Sequence, residues 1–438
     1  ENVNVHWVAP RSFNDFYGVL HKLKLGRLAQ LGRWPDSFLP WVVPASLAGY
    51  RLVQKRPPDA ILTFMMPYSP GFAGVFLKKL TGAPLVLNYD DSPTCVDHHS
   101  VFASRLHYEA NRWMEDFFAQ SADAVVYVSH RNRSRVQNRQ DKADRSKFHL
   151  IRYGATSPPN SPSAHPDAAA LLDSSTFNIV YVGGMSGWYD FLDDDADSLS
   201  LKTIYHRLND IGKYRKTDVD YRPHGPVYVG RAVKQLLQKR PEWINQIKVH
   251  FFGKANDHAP IDRVLEEAGI RDIVSIHSRV DHQTARALQY ASNCLFMSLP
   301  ARTDGNPSSI ISSKTYEYLQ TDRPILAALP PGENWDYLAD KPGVQLTPPK
   351  DVEAMSTALE SLVETWLTQG NNALSVDRSH LQSELSSQTR ADAFDQILRD
   401  VHSSAPEPIP QSNRPQSNGQ LVPPRPRPHS DTASGLSH

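Results

Sequence analysis

Short apolar runs alternate with amphipathic segments through the first part of the chain. Four runs read as strands, at 59–64, 84–89, 123–129 and 147–154, and a helical pattern covers 71–80. Apolar runs of this length, separated by helices, are typical of parallel strands joined by helical crossovers. The pattern predicts an α/β domain with a parallel sheet, and residues 3–10 are predicted to add a strand at its start.

The same alternation returns further along the chain. Predicted strands cover 177–184, 246–253, 273–277, 294–299, 325–329 and 343–346, and predicted helices cover 226–240, 260–268, 352–367 and 388–401. A second parallel sheet follows from this pattern, so the chain is predicted to contain two Rossmann-like domains.

Two stretches are too polar and too rich in proline to build a core. The first includes the sequence Ser157 to Pro166, and the second includes Val422 to Pro428. Proline and small polar residues favour linkers and disordered tails. The predicted organisation is a first domain (1–155), a linker (156–175), a second domain (176–387), a helix (388–402) and a disordered tail (403–438).

Composition excludes several classes of protein. Lys plus Arg and Asp plus Glu both number 47, which gives no support for a nucleic-acid binder. Two cysteines, Cys95 and Cys294, form neither a disulfide framework nor a zinc site. No apolar run approaches the roughly eighteen residues that span a bilayer, and the start shows no secretory signal, so we expect a cytoplasmic protein.

Residues 19–34 form a basic and apolar stretch with four Lys or Arg residues and no acid. Such a stretch suits peripheral contact with the inner surface of a membrane. It also suits a helix that packs on the core, since Leu20, Leu23, Leu28 and Leu31 fit one helical face. We favour the packed helix.

The most informative segment runs from Asn306 to Ala327. Ser312 or Ser313 is predicted to cap a short helix that ends at Leu319, with free N–H groups at its start that can bind an anion such as a diphosphate. Lys314 falls in the first turn, and Glu317 shares its face. An apolar strand follows, which places this segment at the carboxyl edge of a sheet.

The string from Ser313 to Ala327 resembles the donor-site segment of retaining nucleotide-sugar glycosyltransferases of family 4 (group 1), which have the GT-B fold. The resemblance implies two Rossmann-like domains with a cleft between them, the acceptor on the first and the donor on the second. It implies that amides near Ser312 and Ser313 hold the donor diphosphate and that Glu317 holds the ribose. Many members carry a second Glu eight positions earlier to hold the sugar ring, where this chain has Ser309.

Further site residues are predicted by their places after strands. Gly183 and Gly184 would let a phosphate approach the backbone, although a plain turn explains them equally well. Lys254 would offset phosphate charge, and Asn306 would recognise sugar hydroxyls. On the acceptor side the candidates are Asp90 and His98, with Lys314 as the catalytic cation.

The resemblance also bears on metals and on the ends of the chain. A GT-B site needs no bound metal, and we interpret the acidic residues between 190 and 197 as a solvated part of an insertion at 188–225, despite their Asp-x-Asp spacing. In this fold the last helix, here 388–402, commonly crosses back to the first domain. An earlier strand is expected upstream of Glu1.

The predicted function is therefore transfer of a sugar, with retention, from a nucleotide diphosphate sugar to a glycan, lipid-linked or other acceptor. Two alternatives stay open: a sugar-nucleotide epimerase of the same fold, and a non-catalytic subunit that binds a nucleotide sugar. No nucleic acid partner is expected.

Overall fold

The structure is a computed structural model of the 438-residue chain. It describes residues 3–23, 25–95, 97, 101–155, 171–184, 191, 211–253 and 259–404. The predicted tail from residue 405 onward, most of the predicted linker, and the acidic residues between 190 and 197 lie outside this part of the chain.

The first sheet is parallel, with four strands in the described residues and the order β1-β2-β4-β5. Its strands are β1 (Ile61–Phe64), β2 (Leu85–Tyr89), β4 (Ala124–Tyr127) and β5 (Phe148–Leu150), and a short β3 (Val101–Phe102) lies apart. The helices are α1 (Asn14–Lys22), α2 (Gly26–Gly32), α3 (Val42–Lys55), α4 (Pro70–Thr81), α5 (Arg105–Ser121) and α6 (His130–Gln137). All five β2 residues are buried, which explains their continuous apolar pattern.

The second sheet is also parallel, with six strands in the described residues and the order β10-β9-β6-β11-β13-β14. Its strands are β6 (Phe177–Val182), β9 (Ile247–Phe252), β10 (Val274–His277), β11 (Cys294–Ser298), β13 (Ile325–Ala328) and β14 (Val344–Thr347). Three two-residue strands, β7 (Tyr214–Arg215), β8 (Val219–Asp220) and β12 (Ala301–Arg302), pair outside it.

The helices of the second half cover both faces of this sheet. They are α7 (Val227–Lys239), α8 (Ala259–Glu267), α9 (His282–Ala291), α10 (Ser313–Leu319), α11 (Glu333–Leu338), α12 (Val352–Gln369), α13 (Gln382–Leu385) and α14 (Ser387–Ser403). Alternate strand residues such as Ile179 and Val180 belong to two different buried clusters, one on each face. The predicted parallel α/β architecture is confirmed.

Helix α14 returns to the first sheet. Its Ile397 packs with Val86 of β2 and with Ala124 and Val126 of β4 in one buried cluster. Residues near the C-terminal end of the described chain therefore share a core with the first sheet.

Two sequence interpretations near the start are wrong. Residues 3–10 form no strand, although their apolar pattern suited one. Residues 19–34 form parts of two short helices rather than one, and Leu23, Leu28 and Leu31 are exposed instead of packed. The buried residues of these helices are Tyr17 and Ala29, so the packed face is not the leucine face.

Candidate active site

The residues at the centre of the site follow the carboxyl ends of neighbouring strands in the second sheet. Gly183 follows β6, and the loop after β11 leads to α10, which Ser312 caps by accepting a hydrogen bond from the backbone N–H of Lys314 at 3.3 Å. Ligands of open parallel sheets bind at this edge. The predicted helix and its cap are confirmed.

Lys314 and Gly183 lie in direct contact across this edge. A Cβ placed on Gly183 would lie 2.6 Å from the Lys314 Nζ and closer still to its Cε. A side chain at position 183 would force the end of the lysine to move, and the backbone φ of +148° at Gly183 favours glycine. The Lys314 Nζ lies 5.3 Å from the ring centroid of Tyr181, whose hydroxyl donates to the Gly184 carbonyl at 2.6 Å. Three residues singled out in the sequence are thereby brought together.

The charge of Lys314 is held in a partly buried place. Burial lowers the pKa of its ammonium, and the negative charge of Glu317 partly opposes that shift. No carboxylate oxygen of the described residues lies within 4.0 Å of its Nζ. An ammonium in such surroundings gains from an anionic ligand, since the ligand replaces the lost solvation.

His224 shares the environment of Lys314. Its Nε2 lies 3.0 Å from the Tyr181 hydroxyl. Burial and, second, the positive charge of Lys314 lower the pKa of His224 to about 4. The imidazole is therefore neutral near pH 7 and adds no competing charge beside the lysine.

Glu317 lies one turn along α10 from Ser313. Its Oε2 accepts a hydrogen bond from Gln289 Nε2 at 3.2 Å, and its backbone carbonyl accepts one from Arg286 at 3.0 Å. These contacts fix the helix and one carboxylate oxygen. The carboxylate Oε1 has no hydrogen-bond partner in the described part of the chain.

Asn306 lies apart from this group. It is exposed, and its amide and its backbone N–H donate to Asp304 at 3.0 and 3.1 Å. Arg302 holds the same carboxylate and reaches Asp97 of the first half at 2.8 Å. Asn306 is thus held by its own loop.

Ser309 connects the two halves of the molecule. Its backbone N–H donates to Asp97 at 2.7 Å, its hydroxyl donates to the Cys95 carbonyl at 3.1 Å, and its own carbonyl accepts from Ser129 at 3.2 Å. The buried Ser309 side chain is thus used in a contact between the two halves, at the position where the resembled family holds the sugar ring.

On the first sheet, Asp90 follows β2 and is half-buried. Burial and then the negative charge of Asp91 raise the pKa of its carboxyl. The other acceptor-side candidate, His98, and the donor-side candidate Lys254 lie outside the described residues.

Beneath the loop after β2 lies a buried charge network that sequence reasoning missed. The carboxylate of Glu115, with no exposed surface, accepts hydrogen bonds from Ser92 at 2.6 Å, Thr94 at 2.5 Å and Arg139 at 2.7 Å. Arg139 belongs to the basic run 131–147 and pairs inward with this carboxylate instead of facing solvent. The sequence signal for this buried network is an acid, Glu115, between Met114 and Phe118 on the apolar face of α5.

A second missed residue is Glu333, at the start of α11. Its carboxylate accepts the backbone N–H groups of His130 and Arg131, both at 2.9 Å, and pairs with Arg152 at 3.1 Å. A carboxylate at the N-terminus of a helix is favoured by the helix dipole. Glu333 therefore ties the second sheet to α6, beside a cleft of about 600 Å³. The sequence around it gives no distinguishing signal.

The described residues contain no group of three His, Cys, Asp or Glu side chains that could hold an ion. None of the helices in the described ranges is long and apolar enough to cross a membrane.

Comparison with known proteins gives a family match in the first part of the chain. Residues 12–154 match the family model of the glycosyl transferase 4-like domain. Residues 12–154 therefore form a glycosyl transferase 4-like domain, and the chain has the GT-B fold. No curated protein matches the chain significantly.

Solved structures share the fold at low sequence identity. Sucrose-phosphate synthase from Thermosynechococcus elongatus is similar with a TM-score of 0.53 and 15% identity, over 84% of this chain and 79% of the other. A glycosyltransferase from Rickettsia africae has a TM-score of 0.53 and 11% identity, over 82% and 81%. A UDP-forming trehalose-phosphate synthase from Burkholderia vietnamiensis has a TM-score of 0.50 and 12% identity, over 83% and 78%.

Proposed function

We propose that this glycosyltransferase-type protein transfers a sugar, with retention of configuration, from a nucleotide diphosphate sugar to a glycan or lipid-linked acceptor. The observation that carries the proposal is the contact between Lys314 and Gly183 at the carboxyl edge of the second sheet. In this contact the Lys314 ammonium lies beside the Gly183 backbone, which a phosphate could approach. None of the described carboxylates lies close to this ammonium.

In this mechanism the departing diphosphate gains negative charge as the bond to the sugar breaks. The Lys314 ammonium and the free N–H groups at the start of α10 stabilise that charge, because they are held in place before the reaction. A divalent ion has no required role when fixed protein charges do this work. Transfer is therefore expected to persist in excess chelator, and an absolute need for added Mg²⁺ or Mn²⁺ would contradict the mechanism.

Glu317 is proposed to accept hydrogen bonds from the ribose hydroxyls through its Oε1. Among the similar structures one is described as UDP-forming, which supports uridine diphosphate sugars as the first donors to test. On the other side of the cleft, Asp90 is proposed to contact the acceptor.

The contact between Lys314 and Gly183 is tested by Gly183→Ala. The added methyl group would displace the lysine, so donor affinity should fall by about tenfold or more. Gly370→Ala is the matched control, because Gly370 also has a positive φ of +80° and a Cβ there meets no atom within 4 Å. Calorimetry with UDP, GDP, ADP and CMP sugars measures both variants, and equal donor affinity in the two would refute the site.

The role of Glu317 is tested separately. Glu317→Ala should weaken nucleotide-sugar binding by about tenfold while the melting temperature stays near that of the parent. Glu266→Ala, an exposed acid on α8, is the control. Retention is checked by NMR of the anomeric proton of the product. Formation of an epimerised free nucleotide sugar without acceptor would contradict the transferase proposal and favour an epimerase.

A further inference from the structure

A polar cavity of about 400 Å³ lies at the carboxyl edge of the first sheet. Tyr68, which follows β1, and Pro93, in the loop after β2, both line it, and the helices α1, α2 and α5 close its other sides. The Tyr68 hydroxyl donates to the Asp91 carbonyl at 3.4 Å, which joins the cavity wall to the loop that begins with Asp90. We call this space the first-sheet cavity. Its volume falls in the range of small-molecule sites, about 300–1000 Å³.

The charges that line the first-sheet cavity cancel. Among the described residues of its wall, Arg33 is the cation and Asp36 is the acid. The Asp36 carboxylate accepts hydrogen bonds from the backbone N–H and the hydroxyl of Ser69, both at 2.7 Å. The Arg33 Cζ lies 5.2 Å from the ring centroid of Tyr17, and its guanidinium has no hydrogen bond or ion pair within the described residues. A wall without net charge favours an uncharged polar ligand over an anion or a cation.

Three side chains of the wall each use one polar group within the protein and keep another. Gln30 Nε2 donates to the Val101 carbonyl at 3.3 Å, and its Oε1 has no partner in the described ranges. Asn111 Nδ2 donates to the His107 carbonyl at 2.8 Å, and its Oδ1 is likewise without a partner there. His107 Nδ1 accepts the Ala103 N–H at 3.3 Å. Because burial lowers the pKa of His107, the ring is neutral near pH 7 and its proton lies on Nε2.

The first-sheet cavity therefore offers donors and acceptors together. The Arg33 guanidinium and the His107 Nε2–H donate, and the side-chain oxygens of Gln30 and Asn111 accept. A sugar hydroxyl both donates and accepts, whereas a carboxylate or a phosphate dianion only accepts. Phe102, which is buried and lines the cavity, supplies an apolar ring for the C–H groups of a sugar. These groups match a ring that carries several hydroxyls better than they match an anion.

We propose that the first-sheet cavity is a binding site for an uncharged sugar. The sugar hydroxyls bond to the four polar side chains of the wall, and the sugar ring packs on Phe102. This binding does not depend on the transfer activity, whereas the identification of the sugar as part of the acceptor rests on the proposed function. Under that function the cavity holds the acceptor beside the Asp90 loop and disfavours acceptors with an anionic end.

Saturation-transfer NMR and calorimetry on the whole chain test the site without any nucleotide sugar. The probes are the methyl glycosides of glucose, galactose, mannose and N-acetylglucosamine, with glucose 6-phosphate and glucuronate as their anionic counterparts. We expect one methyl glycoside or more to bind, and to bind about tenfold more tightly than either anion, because the lining charges already cancel.

Arg33→Met tests the cavity with little risk to the fold. The methionine keeps an apolar stem against Tyr17 and removes the donors, so glycoside affinity should fall by about tenfold. Asn14→Ala, in the same wall, should lower it by a smaller factor, since Asn14 also has no hydrogen bond within the described residues. The matched controls are Arg51→Met on α3 and Asn372→Ala, both exposed and outside the wall, and they should bind like the parent. Melting temperatures show that each variant is folded.

Three results would overturn the proposal. They are no binding of any methyl glycoside to the parent chain, equal glycoside affinity in Arg33→Met and Arg51→Met, and tighter binding of glucose 6-phosphate or glucuronate than of every methyl glycoside. The last result would show that the cavity is an anion site.

The role in transfer is tested apart from the binding. Arg33→Met should raise the KM for the acceptor by about tenfold and leave the affinity for the nucleotide sugar unchanged. An unchanged KM in a variant that has lost glycoside binding would refute the identification of the sugar as the acceptor. Failure of the parent chain to bind nucleotide sugars would refute the proposed function and leave the glycoside result unaffected.

Discussion

On the second sheet, the ammonium of Lys314 lies against Gly183 with no carboxylate of the described residues within 4.0 Å. On the first sheet, the charges beneath the loop after β2 are satisfied within the protein, since Glu115 pairs with Arg139 and also accepts hydrogen bonds from Ser92 and Thr94. Both regions place charge in partly or fully buried surroundings at a strand end. They differ in whether the protein supplies the counter-charge.

This difference indicates that the buried charges of the first side stabilise the fold, whereas the Lys314 charge of the second side is available to a ligand. A buried ion pair fixes a loop in one arrangement, because separating its members would leave a charge without solvation. A cation that lacks a protein partner is instead completed by a ligand. The comparison predicts that variants on the first side change stability and that variants on the second side change donor binding and turnover.

The largest effect is expected from Glu115→Ala. Removal of this carboxylate leaves Arg139 without its main partner and leaves two hydroxyls unsatisfied, at a cost of about 3–5 kcal/mol in the free energy of unfolding. Urea unfolding followed by circular dichroism measures it. Glu109→Ala, which removes a partly exposed acid from the same helix, should cost under about 1 kcal/mol.

A comparable loss of unfolding free energy in Glu115→Ala and Glu109→Ala would show that the Glu115 network does not fix the loop after β2. If Glu115→Ala folds at reduced stability, the same variant also tests the acceptor side. Its transfer activity should fall because residues 92–97 become disordered, while its donor affinity should be kept.

The second prediction concerns Lys314→Ala. Loss of a fixed charge at the leaving group should lower turnover by about 100- to 1000-fold, with or without added metal, while stability changes little. Lys239→Ala, on an exposed part of α7, is the matched control. Full activity of Lys314→Ala, or its rescue by Mg²⁺, would remove the distinction between the two sides.

The sequence predicted the second side better than the first, for a physical reason. Ser312, Lys314 and Glu317 lie within six residues, and the cap and helix periodicity that place them are local properties. Contact of Lys314 with Gly183 follows because both come after strands of one parallel sheet. Local rules thus sufficed once the sheet was recognised.

The first side depends on contacts between residues far apart in the chain. Glu115 and Arg139 are separated by β4 and the whole of α6, and Asp97 meets Arg302 and Ser309 more than two hundred positions later. No periodicity in the sequence marks such pairs. The exposure of Leu23 and Leu28 was missed for a related reason, since a helical face shows that residues group together but not whether protein or solvent covers them.

The third prediction concerns the contact between the two sides. Arg302→Ala removes a 2.8 Å ion pair to Asp97, which is 1% exposed, and should lower the free energy of unfolding by about 2 kcal/mol. Arg135 remains 3.6 Å from the same carboxylate and limits the loss. Hydrogen exchange should rise in residues 301–309 in particular. Arg263→Ala, which breaks an exposed pair within α8, is the control and should leave exchange there unchanged.

The smallest effect on stability is expected from the protonation of His224. The folded protein holds this imidazole neutral, with its pKa lowered to about 4 by burial and by Lys314, whereas the unfolded chain titrates near 6.5. As the pH falls below about 6.5, the unfolded state binds a proton that the folded state does not, so stability decreases with falling pH. At about pH 6 the loss from this group should be somewhat under 1 kcal/mol relative to about pH 8.

The measurement compares melting temperatures of the parent chain and of His224→Gln at these two pH values. The glutamine variant keeps a polar side chain beside the Tyr181 hydroxyl but cannot titrate, so its melting temperature should fall less on acidification than that of the parent. Addition of a nucleotide sugar should reduce the difference between the two, because the diphosphate offsets the charge of Lys314 and raises the pKa of His224 toward its ordinary value. An identical pH response in both chains, with and without donor, would show that His224 does not sense the charge on the donor side.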